Sequence, residues 1–181
     1  MHHMKAPPIE RLIEVVGALE RASVTCALGA SGLLISLGIW SEAHDWDLTT
    51  DAPIERVRAA LASFESTWHG SSGIHADQKL VVGAGEVECI VGFAIRSEAG
   101  VARIPTVVTA RWRGVPVGSP EAWAVAYTLL GRDEKAALLF DWLTVHGADE
   151  DIRRRLLEQP LPGNVAARLS ALPPRDTSSS T

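Results

Sequence analysis

The chain has 181 residues, 46% of them hydrophobic, and a net charge of -5 with a pI near 5.7. That suffices for one domain with a real core, or one domain with a small helical appendage, and it excludes the broad basic surface by which proteins grip extended nucleic acid. No apolar run approaches the eighteen or so residues needed to cross a bilayer, and Cys26 and Cys89 are isolated, without Cys-x-x-Cys spacing or a secretory signal. The sequence therefore predicts a soluble, cytoplasmic protein with two reduced core thiols.

Met1-His2-His3-Met4 opens the chain, and neither histidine is given a metal role. From Pro8 to about Glu20, Ile9, Leu12, Ile13, Val16 and Leu19 recur at helical spacing and predict an amphipathic helix that covers a sheet. Val24 to Leu28 reads as a first strand ending in the small-residue turn Gly29-Ala30-Ser31. Ser31 stands where it could cap the apolar helix of Leu33, Leu34, Ile35 and Leu37, and a helix N-terminus offers free N–H groups to an anion.

Asp45 and Asp47 then flank Trp46 in a short strand, so the two carboxylates share one face while the indole points into a core. Carboxylates that converge repel each other unless a cation lies between them, and oxygen donors of this kind suit Mg²⁺ or Mn²⁺. His44 stands just before the pair, at a strand edge or within reach of a phosphate. Asp51 is expected to cap the helix that begins near Pro53 and carries Ile54, Val57, Leu61 and Phe64.

Lys79-Leu80-Val81-Val82 is the clearest strand of the next, glycine-bearing stretch. Glu86 to Ile95 follows with strand composition, in which alternation puts Glu86, Glu88 and Ile90 on one face. An acid on an apolar strand face is costly unless paired, solvated or metal-bound, which makes Glu88 the candidate third metal ligand and Glu86 the reserve. Ile104 to Trp112 predicts another strand that puts Arg111 and Arg113 on one face, either a basic clamp for a phosphate or an RNA backbone or, as the acidic net charge favours, a solvated face opposite a buried tryptophan.

Ser119-Pro120-Glu121 opens a helix carrying Trp123, Val125, Ala126, Leu129 and Leu130, and Arg132 to Lys135 leads into a second with Leu138, Leu139, Trp142 and Leu143. Short helices from Asp149 to about Glu158 and from about Val165 to Leu172 close the chain before a proline-, serine- and threonine-rich tail, expected to be disordered. The expected organisation is a core over residues 1–114, a helical part over 115–172 and a tail over 173–181.

A turn of small residues with a serine, a helix, and then Asp-x-Asp on the following strand resembles the signature of the nucleotidyltransferase superfamily, the DNA polymerase β-like fold. It is spelled here Gly29-Ala30-Ser31-Gly32 and His44-Asp45-Trp46-Asp47-Leu48. The resemblance implies an α/β (α+β) fold, a small mixed sheet flanked by helices, with C-terminal helices packed on it.

In that family the acidic pair and a third acid from a neighbouring strand hold the metal, and the turn holds the triphosphate. That assigns catalytic and metal roles to Asp45, Asp47 and Glu88, with Mg²⁺ or Mn²⁺ as cofactor, and nucleotide contact to Gly29, Ala30 and Ser31. Many members have glycine where this chain has Ala30, and aspartate where it has Glu88. A lysine often found on the first C-terminal helix is replaced by Tyr127, so its role passes to Lys135 or Arg132 or is absent.

The implied activity is metal-dependent transfer of a nucleoside monophosphate from a nucleoside triphosphate to a hydroxyl of a small molecule, a tRNA or a protein. The alternative is a catalytically degenerate relative that binds a nucleotide or a partner, as in a toxin–antitoxin or defence pair. A homodimer is compatible with either.

Overall fold

In the computed structural model, which describes residues 4–176, the chain runs α1 (Ile9–Arg21), β1 (Ala27–Leu28), α2 (Ala30–Ser36), β2 (Trp46–Thr50), α3 (Ile54–Ala60), β3 (Ser66–His69), β4 (Gln78–Val82), β5 (Val87–Val91), β6 (Ala94–Ser97), β7 (Gly100–Arg103), β8 (Ala110–Trp112), β9 (Val115–Val117), α4 (Pro120–Leu129), α5 (Asp133–His146), α6 (Glu150–Leu157) and α7 (Gly163–Ser170). The α/β (α+β) architecture is the one expected. A mixed seven-stranded sheet has the order β3-β4-β5-β2-β1-β9-β8, and β6 and β7 form a separate antiparallel ribbon. β2 pairs parallel with β5 and antiparallel with β1, which puts the acidic strand at the middle of the sheet.

Each face of the sheet buries its own apolar cluster. On one side Leu12, Val15, Val16 and Leu19 of α1 and Val57 of α3 pack against Trp46, Leu48, Leu80 and Cys89. On the other, α4 to α7 pack with Leu33, Ile90, Phe93, Ile95 and Trp123. α1 is amphipathic as expected, with Leu12, Val16 and Leu19 buried, but Ile13, expected on the inward face, is 47% exposed and Val15 is buried in addition. Both cysteines are buried core thiols, and burial pushes each up to about 12. No helix among the described residues is long and apolar enough to cross a membrane.

Several expected elements are corrected. The first strand shrinks to Ala27–Leu28, because Ser23 takes a positive φ of 56° at the end of α1 and Val24 bonds back to Leu19. The run from Glu86 to Ile95 is two strands, broken where Gly92 turns at φ 66°. Of the run from Ile104 to Trp112 only Ala110–Trp112 is strand. Asp51 does not cap α3, whose N-cap is Pro53; its carboxylate accepts the Thr106 N–H at 3.0 Å. Ser119 does cap α4, accepting from Ala122 N–H at 3.0 Å. A division at residue 114 would cut the β8–β9 hairpin, so β9 belongs with the sheet and the helical part begins at Pro120.

The expected disordered tail is also corrected over its described part. Pro173 and Arg175 bond to Ala148 through the backbone, and the Arg175 guanidinium reaches the fully buried Glu121 at 2.8 Å. Glu121 also accepts the Ser119 hydroxyl and the Asp149 N–H, so three segments, the start of α4, the start of α6 and the C-terminal stretch at Arg175, close on one carboxylate. Residues 177–181, and the expectation for His2 and His3, lie outside the described residues.

Removing one partner of a buried charge leaves the other desolvated and unsatisfied. Arg175→Ala is expected to lower unfolding free energy by about 2 kcal/mol, and Arg175→Lys by less, read as the midpoint of urea denaturation.

Candidate active site

Strand alternation and register assemble the site. Trp46 is fully buried against α1, and its indole N–H donates to the Pro8 carbonyl at 3.3 Å, which fixes which way β2 faces. Asp45, in the residue just before β2, and Asp47, within it, therefore project from the opposite face. The parallel register sets Asp47 directly beside Glu88 of β5. Oxygens of Asp45, Asp47 and Glu88 all lie within 4.8 Å of one another, each side chain half-buried. Glu86, the reserve, is excluded: it precedes β5 and its carboxylate accepts the Ala84 N–H at 3.1 Å.

The electrostatics are those of anions held together. Burial, then the charges of Asp45 and Glu88, push Asp47 up to about 8, against the opposing pull of Lys79 and Lys135. Asp45 is raised as well, by burial and then by Glu88, with Lys79 and His44 working the other way. Three hard oxygen donors at this separation, in a setting that disfavours their charge, fit a divalent cation such as Mg²⁺ or Mn²⁺. Lys79, which the sequence does not single out, donates to Glu88 Oε2 at 3.0 Å. Burial works against its charge, but that hydrogen bond and the charges of Glu88, Asp47 and Asp77 leave it raised.

The small-residue turn stands beside this cluster because the Gly29 N–H donates to the Asp47 carbonyl at 2.8 Å. Gly29 is required sterically: a Cβ there would lie 2.2 Å from Cζ2 of Trp123. Ala30 occupies the left-handed region at φ 48°, a conformation glycine adopts freely and alanine at a cost of roughly 1–2 kcal/mol.

Ser31 does not cap α2, whose N-cap is Gly29 with no side-chain bond; its hydroxyl instead accepts from Lys135 Nζ at 2.8 Å. Lys135 is thus the lysine that reaches the turn, delivered from α5 rather than α4. Its ammonium lies 5.2 Å from the Trp40 ring and 5.6 Å from the Tyr127 ring. Burial first, then the charge of Arg132, lower it. Tyr127 is 5% exposed and its buried hydroxyl has no hydrogen-bond partner among the described residues, with burial and the Asp47 charge raising it. Arg132, the other cation considered, is exposed at the N-cap of α5.

The charged groups thus form a row across the sheet: Lys135, Ser31 and Tyr127 at one end, the carboxylates in the middle, Lys79 at the other. Beyond Glu88 a polar cavity of about 510 Å³ opens, bordered by His69, Ser72, His75, Asp77 and Lys79. A cavity of about 630 Å³ between Trp40 and Trp112, at the far end of α2, contains none of the carboxylates. Arg111 pairs with Glu20 at 2.7 Å on a solvated face away from this row. Lys79 lies in β4 and shares a face with Asp77 just before it, and pairing with β5 brings it to Glu88; the pairing, absent from the sequence pattern, was the missing information.

Gly29→Ala is expected to cost about 1–3 kcal/mol through overpacking against Trp123, while Ala30→Gly leaves thermal stability unchanged or raises it; melting curves of the two variants check both. Because Asp45 and Asp47 are raised, the metal-free folded chain holds protons that the unfolded chain releases at lower pH. Stability should therefore fall as pH rises from about 5 to above 8, and Asp47→Asn should flatten that fall, as read by urea denaturation across pH.

No protein-family model matches the chain, and no curated protein matches it by sequence. Solved structures do. A Thermotoga maritima protein provisionally assigned as a nucleotidyltransferase is 25% identical, with a TM-score of 0.56 over 80% of this chain and 98% of that one. ANT(2'')-Ia in complex with adenylyl-2''-tobramycin is 14% identical, with a TM-score of 0.57 over 90% of this chain and 97% of that one. A solution structure of the antibiotic-resistance factor ANT(2'')-Ia gives 16% and 0.54 over 73% and 82%.

Proposed function

Because the chain belongs by its fold to the nucleotidyltransferase superfamily of enzymes, we propose that it transfers a nucleoside monophosphate from a nucleoside triphosphate to a hydroxyl acceptor in a metal-dependent reaction. The observation that carries this is the convergence of Asp45, Asp47 and Glu88 within 4.8 Å. These carboxylates would hold Mg²⁺ or Mn²⁺, which neutralises charge on phosphoryl oxygens and polarises the phosphorus.

The chain's own residues supply positioning and charge. Lys135 already sits on Ser31 at 2.8 Å, so an incoming phosphate would replace a contact between ammonium and a neutral hydroxyl with one between opposite charges. The unpartnered Tyr127 hydroxyl supplies a buried donor beside it. Gly29 and Ala30 set the turn against which the β- and γ-phosphates rest. The acceptor hydroxyl gives its proton to the Glu88 carboxylate as its oxygen bonds to the α-phosphorus, the bond from that phosphorus to the bridging oxygen breaks, and pyrophosphate leaves with its negative charge facing Lys135. ANT(2'')-Ia, solved with adenylyl-2''-tobramycin, supports small-molecule hydroxyls as the first acceptors to test.

Incubation with each of the four ribonucleoside triphosphates, Mg²⁺ and tobramycin, followed by pyrophosphate release, tests the reading. Transfer is expected to fall at least a hundredfold in Asp47→Asn, and Lys135→Ala is expected to weaken triphosphate binding about tenfold, measured by thermal shift. Triphosphates that never shift the melting temperature, with or without Mg²⁺, would favour the partner-binding alternative, to which the strained Ala30 and the Lys79–Glu88 pair also lend weight.

A further inference from the structure

Glu88 differs from the two aspartates of the cluster in already having a cation. Lys79 Nζ donates to Glu88 Oε2 at 3.0 Å, and among the described residues no lysine or arginine pairs with Asp45 or Asp47.

The sheet holds that ammonium in place. β4 pairs antiparallel with β5, with Val81 opposite Glu88 and Lys79 opposite Ile90. Lys79 and Glu88 are therefore diagonal neighbours on one face, about 7–8 Å apart along the pleat, a gap that a lysine stem spans. Asp77, two residues before Lys79, shares this face by alternation, and its carboxylate is 2% exposed. Lys79 thus has Glu88 ahead of it and a second acid behind it, and its own side chain is 32% exposed.

Position in the row gives the pair its meaning. Lys135 and Ser31 stand at one end, the carboxylates in the middle and Lys79 at the other end. Phosphoryl transfer with two metal ions puts one cation at the leaving oxygen and the other at the entering oxygen. At the turn end, the triphosphate brings its own negative charge to a cation on Asp45 and Asp47. At the Glu88 end, a second divalent cation would compete for the carboxylate that Lys79 holds, and it would be repelled by the ammonium beside it.

We propose that Lys79 is a tethered cation that takes the place of a second metal ion, so that the acidic cluster accepts one divalent cation rather than two. The inference rests on the nucleotidyl-transfer reading for the need for positive charge at both ends of the row. It rests on the Lys79–Glu88 pair for the group that supplies it at the Glu88 end. On this account the pair is a working part of the site and not the trace of a lost one.

Counting Mn²⁺ bound to the full chain by equilibrium dialysis, with electron paramagnetic resonance of the bound ion, tests this. Wild type is expected to hold about one Mn²⁺ per chain, with the spectrum of an isolated ion. Lys79→Met keeps the stem and removes the charge, and the polar cavity bordered by Lys79 and Glu88 gives water ligands room to enter. That variant is expected to hold about two ions, with the spectrum broadened by a neighbour roughly 3.5–4 Å away. Lys79→Arg should return the count to that of wild type, and Asp47→Asn should lose the bound ion.

Two Mn²⁺ in wild type would overturn the proposal while leaving metal-dependent transfer intact, and this count holds whether or not Lys79→Met folds. The same count in wild type and in a folded Lys79→Met or Lys79→Gln would overturn it equally. Absence of bound Mn²⁺ from wild type and variant alike would contradict the metal-dependent reading itself.

Discussion

Mutual repulsion of Asp45, Asp47 and Glu88 is the constraint that the rest of this structure accommodates. The sheet spends stability to hold three carboxylates within 4.8 Å on one face, and burial first, then the charges of Asp45 and Glu88, push Asp47 up to about 8. Everything near them moderates that cost. Lys79 pairs with Glu88 from one side, Lys135 lies on the other, and His44 adds positive character beside Asp45. On the far face Trp46, fully buried and bonded to Pro8, keeps β2 from turning over, since a slip of one residue would bury the acids and expose the indole.

The turn from Gly29 to Ser31 is organised by packing as much as by charge. Trp123 lies where a Gly29 side chain would be, and Gly29 in turn is tied to the Asp47 carbonyl. The same α4 surface carries Tyr127, one turn further on, so one helix braces the turn and presents a buried hydroxyl toward it. The base of α4 is secured by Glu121, on which Ser119, Asp149 and Arg175 converge. Stability of the C-terminal helices and placement of the turn are thus linked through a single helix.

Much of this was legible in the sequence because it rests on local periodicity. Alternation about Trp46 gave Asp45 and Asp47 a common face, and apolar spacing placed Leu12, Val16 and Leu19 of α1 and Leu139 and Leu143 of α5 in the core, whereas α4 is buried on all sides from Pro120 to Tyr127. Glu88 was singled out over Glu86 by its depth in an apolar run, and the register beside Asp47 agrees. What was not legible depends on distant pairing. Lys79 reaches Glu88 only because β4 pairs antiparallel with β5, and Ser31 is engaged by a lysine 104 positions away rather than by its own helix. Asp51 looked like a cap because a proline and a helix follow it, yet tertiary contact with Thr106 wins.

Calorimetric titration of the protein with Mn²⁺ at neutral pH, in buffers of different ionisation enthalpy, tests the central claim most directly. A cation taken up by this cluster must displace the proton that the raised Asp47 retains, so the account predicts saturable binding with proton release, lost in Asp47→Asn. Absence of saturable binding, or binding identical in the variant and without proton release, would contradict the assignment of Asp45, Asp47 and Glu88 as a metal centre.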